Sequence, residues 1–352
     1  MSYSKKRRLR RILINIYHAL NLDKLFMRIG LFDKKIVTSL KKFKGYSDLS
    51  DYQLRKDIKT CYYKYLTTPQ EYFLFRFFEL DDIERAKFLS DNLKVRHLLK
   101  TISEEIYVNQ LCNKYNFYKL TSNYFKRAVL VIGGGSQSVD VQEFVGFTRR
   151  HNDLFAKPLS ASFGNGAHVV KITNSDEAIA EFDKLNNGGE WIVEDRIIQS
   201  MEMSTWNESS VNTVRLPCFL SSNGSFHILA PVLRVGRKGS VVDNAGGGGI
   251  IACIDEKSGV ITTNGQDEAG LEYIVHPDSN KKFKGWQVPE WKELMRLAEE
   301  IHRNCLPDHR YIGFDFALTD EGWVVIEGNW GQFLNQYVDH RGIKNEFLTY
   351  IH

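Results

Sequence analysis

Apolar residues in the first third of the chain recur every three or four positions. Ile12, Leu13, Ile16, Tyr17 and Leu20 fall on one helical face. The same spacing predicts helices over 49–66, 69–78 and 81–99, so residues 1–120 read as mostly helical. From about residue 125 the texture changes. Short apolar runs at 128–132, 154–157, 168–172 and 191–193 alternate with glycine-rich breaks and one amphipathic stretch, 175–185, which Ser175 is placed to cap. That order predicts a small α+β unit. The glycines at 133–135 that end the first run read as a plain turn. Further on, strands are expected over 214–220, 226–235, 249–254, 314–318 and 324–327, with one helix over 291–305. In that helix Trp291, Leu294, Met295, Ala298, Ile301 and Cys305 share a face. The chain therefore divides into 1–120, 121–196 and 197–352.

Segment 313–329 carries the clearest chemistry. Phe314, Phe316 and Leu318 alternate with Asp315 and Ala317; a turn follows at 319–322, and then an apolar run from Trp323 to Ile326. This is a hairpin pattern. It brings Asp315 beside Glu327 and leaves Asn329, two residues on, on the face of Glu327. Two carboxylates held together repel unless a cation lies between them. Magnesium takes hard oxygen ligands, one or two carboxylates plus phosphate oxygens, and an Asp, a Glu and an Asn amide meet that demand. The alternative is a surface hairpin whose acids face water. The apolar flanks argue against it, because charges set among such residues need a partner.

Lys157 ends a strand and precedes a Ser/Gly loop. There it is a point charge for α- and β-phosphates. Ser160, Ser162, Gly164 and Gly166 leave backbone N–H groups free to close over them. The segment is neither a Walker motif nor a dinucleotide fingerprint, and an ordinary glycine hairpin with a solvated lysine fits the same letters. Arg234 and Arg237 precede Asp243, Asn244 and the glycines at 246–249. Arginines and glycines converging in one loop suit the close approach of an anionic group. His276, followed by Pro277 and Asp278, is either a general base, a substrate ligand or a capped turn histidine.

Composition narrows the class. With 352 residues, 43% hydrophobic and 12% aromatic, the chain can build more than one core. Its net charge of +4 hides an asymmetry: residues 1–60 hold 16 Lys/Arg against 5 Asp/Glu, so the remainder is acidic. The basic arm is either a helix packed on the protein itself or one laid on an anionic membrane. It lacks the stacking aromatics of a nucleic-acid reader, so nucleic acid is not an expected partner. Cys61, Cys112, Cys218, Cys253 and Cys305 are scattered without a CxxC pair. That argues against a disulfide framework or zinc site and for a reduced, cytosolic state. No apolar run reaches the roughly 20 residues that cross a bilayer. The arm, interrupted by Asn15 and His18, does not read as a secretory signal. A cytoplasmic protein is expected, with the arm available to the inner membrane face.

The ordered set resembles a known superfamily. Lys157-Pro158 with its glycine loop, the run 191–199, the run 210–215 with Arg215, and Asp315 followed by Glu327-Gly328-Asn329 occur in the order of ATP-grasp enzymes. The stretches 233–244, 276–279 and 283–291 look like the sugar-transfer-associated ATP-grasp branch. The resemblance covers roughly 125–340. It implies an α+β ATP-grasp fold, two α+β subdomains clamping ATP, preceded here by a mostly helical region. Residues 121–196 would be the lid subdomain and its lead-in, and 197–352 the catalytic subdomain. It further implies that Glu194 accepts from the adenine amino group, that backbone near Ile197 reads the adenine edge, and that Asp195 and Glu202 are ribose candidates. Arg215 would stabilise the transferring γ-phosphoryl group. On the loop chemistry given above, Arg234 is a further catalytic candidate, and Arg237, Asp243, Asn244 and His276 are substrate candidates. Asp315, Glu327 and Asn329 would hold two magnesium ions. Residues 1–120 depart from better-known members, which place alternating strands and helices before the ATP-binding part.

The chemistry so implied is a carboxylate–amine or carboxylate–nucleophile ligase working through an acyl phosphate. Expected partners are a small-molecule or glycan-linked carboxylate, as in a cell-surface glycan precursor or amino acid, and an amine or hydroxyl acceptor. A kinase on the same fold, phosphorylating a sugar or other hydroxyl acceptor, fits the same residues. A non-catalytic membrane-associated scaffold is the alternative from another class.

Overall fold

The structure, a computed structural model, describes residues 31–90, 95–103, 105–133, 138–159, 166–244, 247–331 and 333–351. The helix expected around Ile12 to Leu20 and the loop residues Ser160, Ser162 and Gly164 lie outside the described residues.

Strands β1 (Val129–Ile132), β2 (Asp153–Pro158), β3 (His168–Lys171) and β4 (Trp191–Asp195) form an antiparallel sheet in the order β1-β4-β2-β3. Leu154, Ala156, Val170 and Val193 enter a core shared with the helices Val141–Thr148 and Ser175–Gly188. Side chains alternate along a strand, so Lys157 and Glu194 fall on the opposite face. The helix 141–148 is absent from the pattern-based expectation. The cap of the second helix is also one residue earlier than expected. Asn174, extended at φ −150°, accepts from the Glu177 N–H at 2.9 Å; an amide oxygen there serves as well as a hydroxyl.

Strands β5 (Thr213–Leu220), β6 (Phe226–Ile228), β7 (Val232–Val235), β8 (Ile250–Cys253), β9 (Gly265–Gln266), β10 (Glu272–Tyr273), β11 (Tyr311–Thr319) and β12 (Gly322–Asn329) build a second sheet. Its order is β10-β9-β8-β7-β5-β11-β12, with β6 added on β5. The run 226–235, expected as one strand, is broken at Ala230, with φ +55°, and Pro231, since proline has no N–H for the ladder. Val214, Leu216, Phe314 and Phe316 bury against Leu294, Ala298 and Ile301 of the helix Trp291–Cys305. That leaves the other face of β5 and β11 to Arg215 and Asp315.

The β11–β12 hairpin closes through Asp320 and Glu321, with Gly322 at φ +94°. Its register shifts between Asp315 and Phe316, and Asp315 stands opposite Glu327. Helix Lys114–Phe125 packs directly on the backbone beside Glu327. A Cβ on Gly328 would lie 2.6 Å from the Phe117 ring and 3.0 Å from Leu111.

The N-terminal helices Leu31–Lys42, Asp51–Tyr65 and Pro69–Leu74 enclose an aromatic core in which Phe43 stacks on Phe73 at 5.1 Å. Two of them start in capping boxes, Ser50 with Gln53 and Thr68 with Glu71. The helix expected over 81–99 is instead two, Asp82–Arg85 and Arg96–Ile102. Between them Leu89 exchanges two backbone hydrogen bonds with the Gln336 amide, at 3.0 and 2.8 Å, which replace helical ones. This region is tied to the large sheet. Phe75 stacks on Tyr337 at 5.4 Å, and the Tyr46 O–H donates to the Ala269 carbonyl at 3.0 Å. No described helix is long and apolar enough to cross a membrane.

Two outcomes follow from this packing. Gly328→Val forces side-chain atoms into Phe117 and is expected to cost about 1–3 kcal/mol; an unchanged melting temperature would contradict the close approach. His302 is fully buried beside Phe226 and Phe314, and burial pushes its pKa down to about 4. The folded chain therefore keeps a neutral imidazole while the unfolded chain takes up a proton near pH 6.5. Stability should fall as pH drops below about 6.5 and level off near the folded pKa. Urea midpoints across that window check this, and the non-titrating His302→Gln variant should show the shallower slope.

Candidate functional site

A cleft of about 900 Å³ is lined from both sheets. The small sheet contributes Lys157 and Glu194, whose side chains form an ion pair. Arg127, just before β1, reaches the same carboxylate at 3.3 Å. Glu194 is 2% exposed, and burial alone would raise its pKa. The Lys157 and Arg127 charges outweigh burial and hold it below the usual carboxylate range. Arg127 also donates to the Phe125 and Val325 carbonyls at 3.0 and 3.1 Å, which couples the small sheet to β12.

The large sheet contributes a row fixed by strand register. Arg215 of β5 pairs with Asp315 of β11, and Asp315 pairs with Glu327 of β12. Arg215 grips the Asp315 carboxylate through Nε and Nη2, and Arg234 of β7 reaches it at 3.1 Å. The second nitrogen of Arg234 lies 2.9 Å from Asp243, which also accepts from the Thr213 O–H. Asn329 Nδ2 donates to Asp315 at 3.3 Å and to Glu327 at 3.2 Å. Burial would raise the Asp315 pKa, but Arg215 and Arg234 hold it below the ordinary value, and Asp315 in turn keeps that of Arg215 high. For Asp243 burial wins and its pKa is raised, although Arg234 and Thr213 oppose the shift. Lys114 enters from the start of its helix, donates to the Pro158 carbonyl at 3.2 Å, and has its pKa lowered by burial.

Chemically, the cleft sets cations from both sheets around two carboxylates and an amide. Among the described residues no group of three or more His, Cys, Asp or Glu side chains is placed to hold a metal ion. Magnesium is usually held by one or two carboxylates, with phosphate oxygens and water filling its remaining positions. Asp315 and Glu327 in register, with the Asn329 amide between them, fit that donor set. Turning the amide over presents its oxygen in place of its NH2. Lys114 and Lys157 suit the oxygens of a polyphosphate.

Ile197, Asp243 and Asn244 line the same cleft. Five expected residues do not. Asp195 is on the opposite face of β4 from Glu194, where it accepts from the Ala128 N–H at 3.0 Å and meets His151 at 2.7 Å. Glu202 is exposed in the first turn of helix Met201–Ser204. Arg237 pairs with Asp278 at 2.7 Å. His276 is fully buried, with Nε2 at the Gly236 carbonyl (3.0 Å) and Nδ1 at the Ser279 hydroxyl, so it holds a turn together. Gly166, at φ +81°, packs on Pro158 outside the cleft lining. Pattern reading missed Lys114 and Arg127. Lys114 has no motif around it, and the one signal for Arg127 is its place before the apolar run 128–132.

No curated protein matches the chain. Among solved structures it is similar to D-alanyl-alanine synthetase A from Vibrio cholerae, with 14% identity, TM-score 0.41, and coverage of 68% of this chain and 63% of that one. It is also similar to D-alanine–D-alanine ligase from Bacillus anthracis, with 13% identity, TM-score 0.38, and coverage of 66% and 61%. A third is the ATP-grasp ligase PsnB complexed with a phosphomimetic variant of its minimal precursor, Mg and ADP. Here identity is 10%, TM-score 0.38, and coverage 67% and 55%. The chain thus spans less than two thirds of each. The sugar-transfer associated ATP-grasp model matches residues 94–351, which include every cleft residue named above, and the chain belongs to that family.

Proposed function

We propose that this protein is an ATP- and magnesium-dependent ligase that joins a carboxylate to an amine through an acyl phosphate. The observation that carries the reading is the register-fixed row Arg215–Asp315–Glu327, with Asn329 and Arg234 against it and Lys157 across the cleft. Magnesium bound to the nucleotide would draw charge from the phosphoryl oxygens. Asp315, Glu327 and Asn329 would hold the metal, and Lys157 with Lys114 would hold phosphate oxygens.

The chain's own residues supply position and charge. Arg215 and Arg234 offer guanidinium donors where charge develops on the γ-phosphoryl group and on the attacking carboxylate. Glu194, fixed by Lys157 and Arg127, would accept from the adenine amino group, and backbone at Ile197 would meet the adenine edge. The apolar lining from Phe155, Val169 and Ile197 favours exclusion of water, which would otherwise hydrolyse an acyl phosphate. The family's description, sugar-transfer associated, supports a glycan-linked substrate.

Glu327→Gln keeps the shape and the Asn329 hydrogen bond but removes the charge. It should lower ATP turnover by about a hundredfold or more with an unchanged circular dichroism spectrum; wild-type turnover would contradict the metal assignment. Arg215→Lys keeps a charge but not the two-pronged grip, and should cost about 10–100-fold in turnover with little effect on nucleotide affinity. Products separate ligase from kinase: an amide with free phosphate supports the ligase, whereas a stable phosphorylated hydroxyl would replace it with a kinase.

A further inference from the structure

The cleft runs far beyond the Asp315–Glu327 pair, and strand register gives its direction. Thr213, on the same face of β5 as Arg215, pairs with Arg234 of β7; Arg234 pairs with Ile251 of β8, and Ile251 with Gln266 of β9. All of these line the cleft. From β12 to β9 is five strand spacings, about 24 Å.

At the far end the N-terminal helices supply the wall. Gln266 donates to the Tyr337 carbonyl at 2.7 Å, Tyr337 stacks on Phe75, and Gln70 and Leu74 of the helix Pro69–Leu74 face the same space. That helix precedes the span 94–351 matched by the family model.

The two ends differ in charge. At the nucleotide end the lining lysines and arginines are matched by carboxylates, among them Glu194, Asp243, Asp315 and Glu327. Beyond Arg234 the described lining includes Glu71, Asp267 and Glu268 and no lysine or arginine, set among Leu74, Ile251 and Tyr337. Glu71 is held by the Thr68 N–H and the Ser90 O–H at 2.9 and 2.8 Å. Asp267 accepts from the Tyr273 O–H at 3.0 Å, and Lys42, outside the lining, approaches Glu268 at 3.7 Å. Near the junction Asn244 is 7% exposed, lines the cleft and carries a buried Nδ2 without a partner among the described residues. A buried donor of that kind calls for an acceptor oxygen from a ligand.

We propose that the far end, between Gln266–Glu268 and the helix Pro69–Leu74, binds the second substrate as a protonated amine on an apolar stem. The carboxyl group to be activated sits at the junction, facing Arg234 and Asn244. This rests on the nucleotide reading of the near end.

Hexylammonium and hexanoate are suitable probes of the intact chain by isothermal titration in the presence of MgADP. Hexylammonium should bind and hexanoate should not compete with it. The double variant Gln70→Lys/Glu268→Lys, at two exposed positions, should weaken hexylammonium about tenfold or more while MgADP affinity is unchanged. MgADP binding without hexylammonium binding, or hexylammonium binding indifferent to the double variant, would overturn the inference alone. Hexylammonium binding without MgADP binding would overturn the nucleotide reading and leave the amine site standing.

Discussion

One buried carboxylate, Asp315, holds guanidinium groups from two other strands, and the cleft is organised around that balance of charge. Burying three charged groups is costly unless each is compensated. Compensation here comes from strand pairing: β5 and β11 place Arg215 opposite Asp315, and β7 brings Arg234 alongside. Asp243 offsets the second arginine. Glu327 then adds negative charge beside the balanced group, where a divalent cation is favourable. The same guanidinium groups can exchange a carboxylate for phosphate oxygens without any of them being left uncompensated. A site so built is neutral enough to fold empty and charged enough to receive a nucleotide.

The second half of the site depends on a different sheet, and Arg127 connects the two. Its guanidinium spans from Glu194 to the carbonyl of Val325 on β12. The Lys157–Glu194 pair is thereby held in relation to the β11–β12 hairpin by hydrogen bonds. Helix Lys114–Phe125 reinforces the arrangement, since it packs on Gly328 and sends Lys114 toward the same space.

How much of this was legible depended on whether the signal was local. The β11–β12 hairpin and the pairing of Asp315 with Glu327 follow from alternation and a four-residue turn, both readable in the letters. The helix Trp291–Cys305 follows from its apolar stripe. The order of motifs identified the family, and with it Arg215 and Lys157. Residues whose roles come from long-range contact carried no such signal. Leu89 breaks an expected helix because Gln336, far along the chain, takes its backbone hydrogen bonds. Asp195 and Glu194 are neighbours in sequence, and only the pleat of β4 turns one toward the cleft and the other away. Arg237 and His276 sit in two loops rich in functional-looking residues, yet their partners are Asp278 and Gly236, and these contacts join the two loops.

The N-terminal helices show the same limit from the other side. Their aromatic core is local and readable, but their position against Tyr337 is tertiary, and it makes them a wall of the cleft. The most direct test of the central claim is manganese titration followed by electron paramagnetic resonance, with and without ADP. Wild-type protein should immobilise manganese tightly only when ADP is present, and Glu327→Gln should lose most of that binding while still binding ADP. Equal manganese binding by both proteins, or binding indifferent to ADP, would contradict a metal site made by Asp315, Glu327 and Asn329.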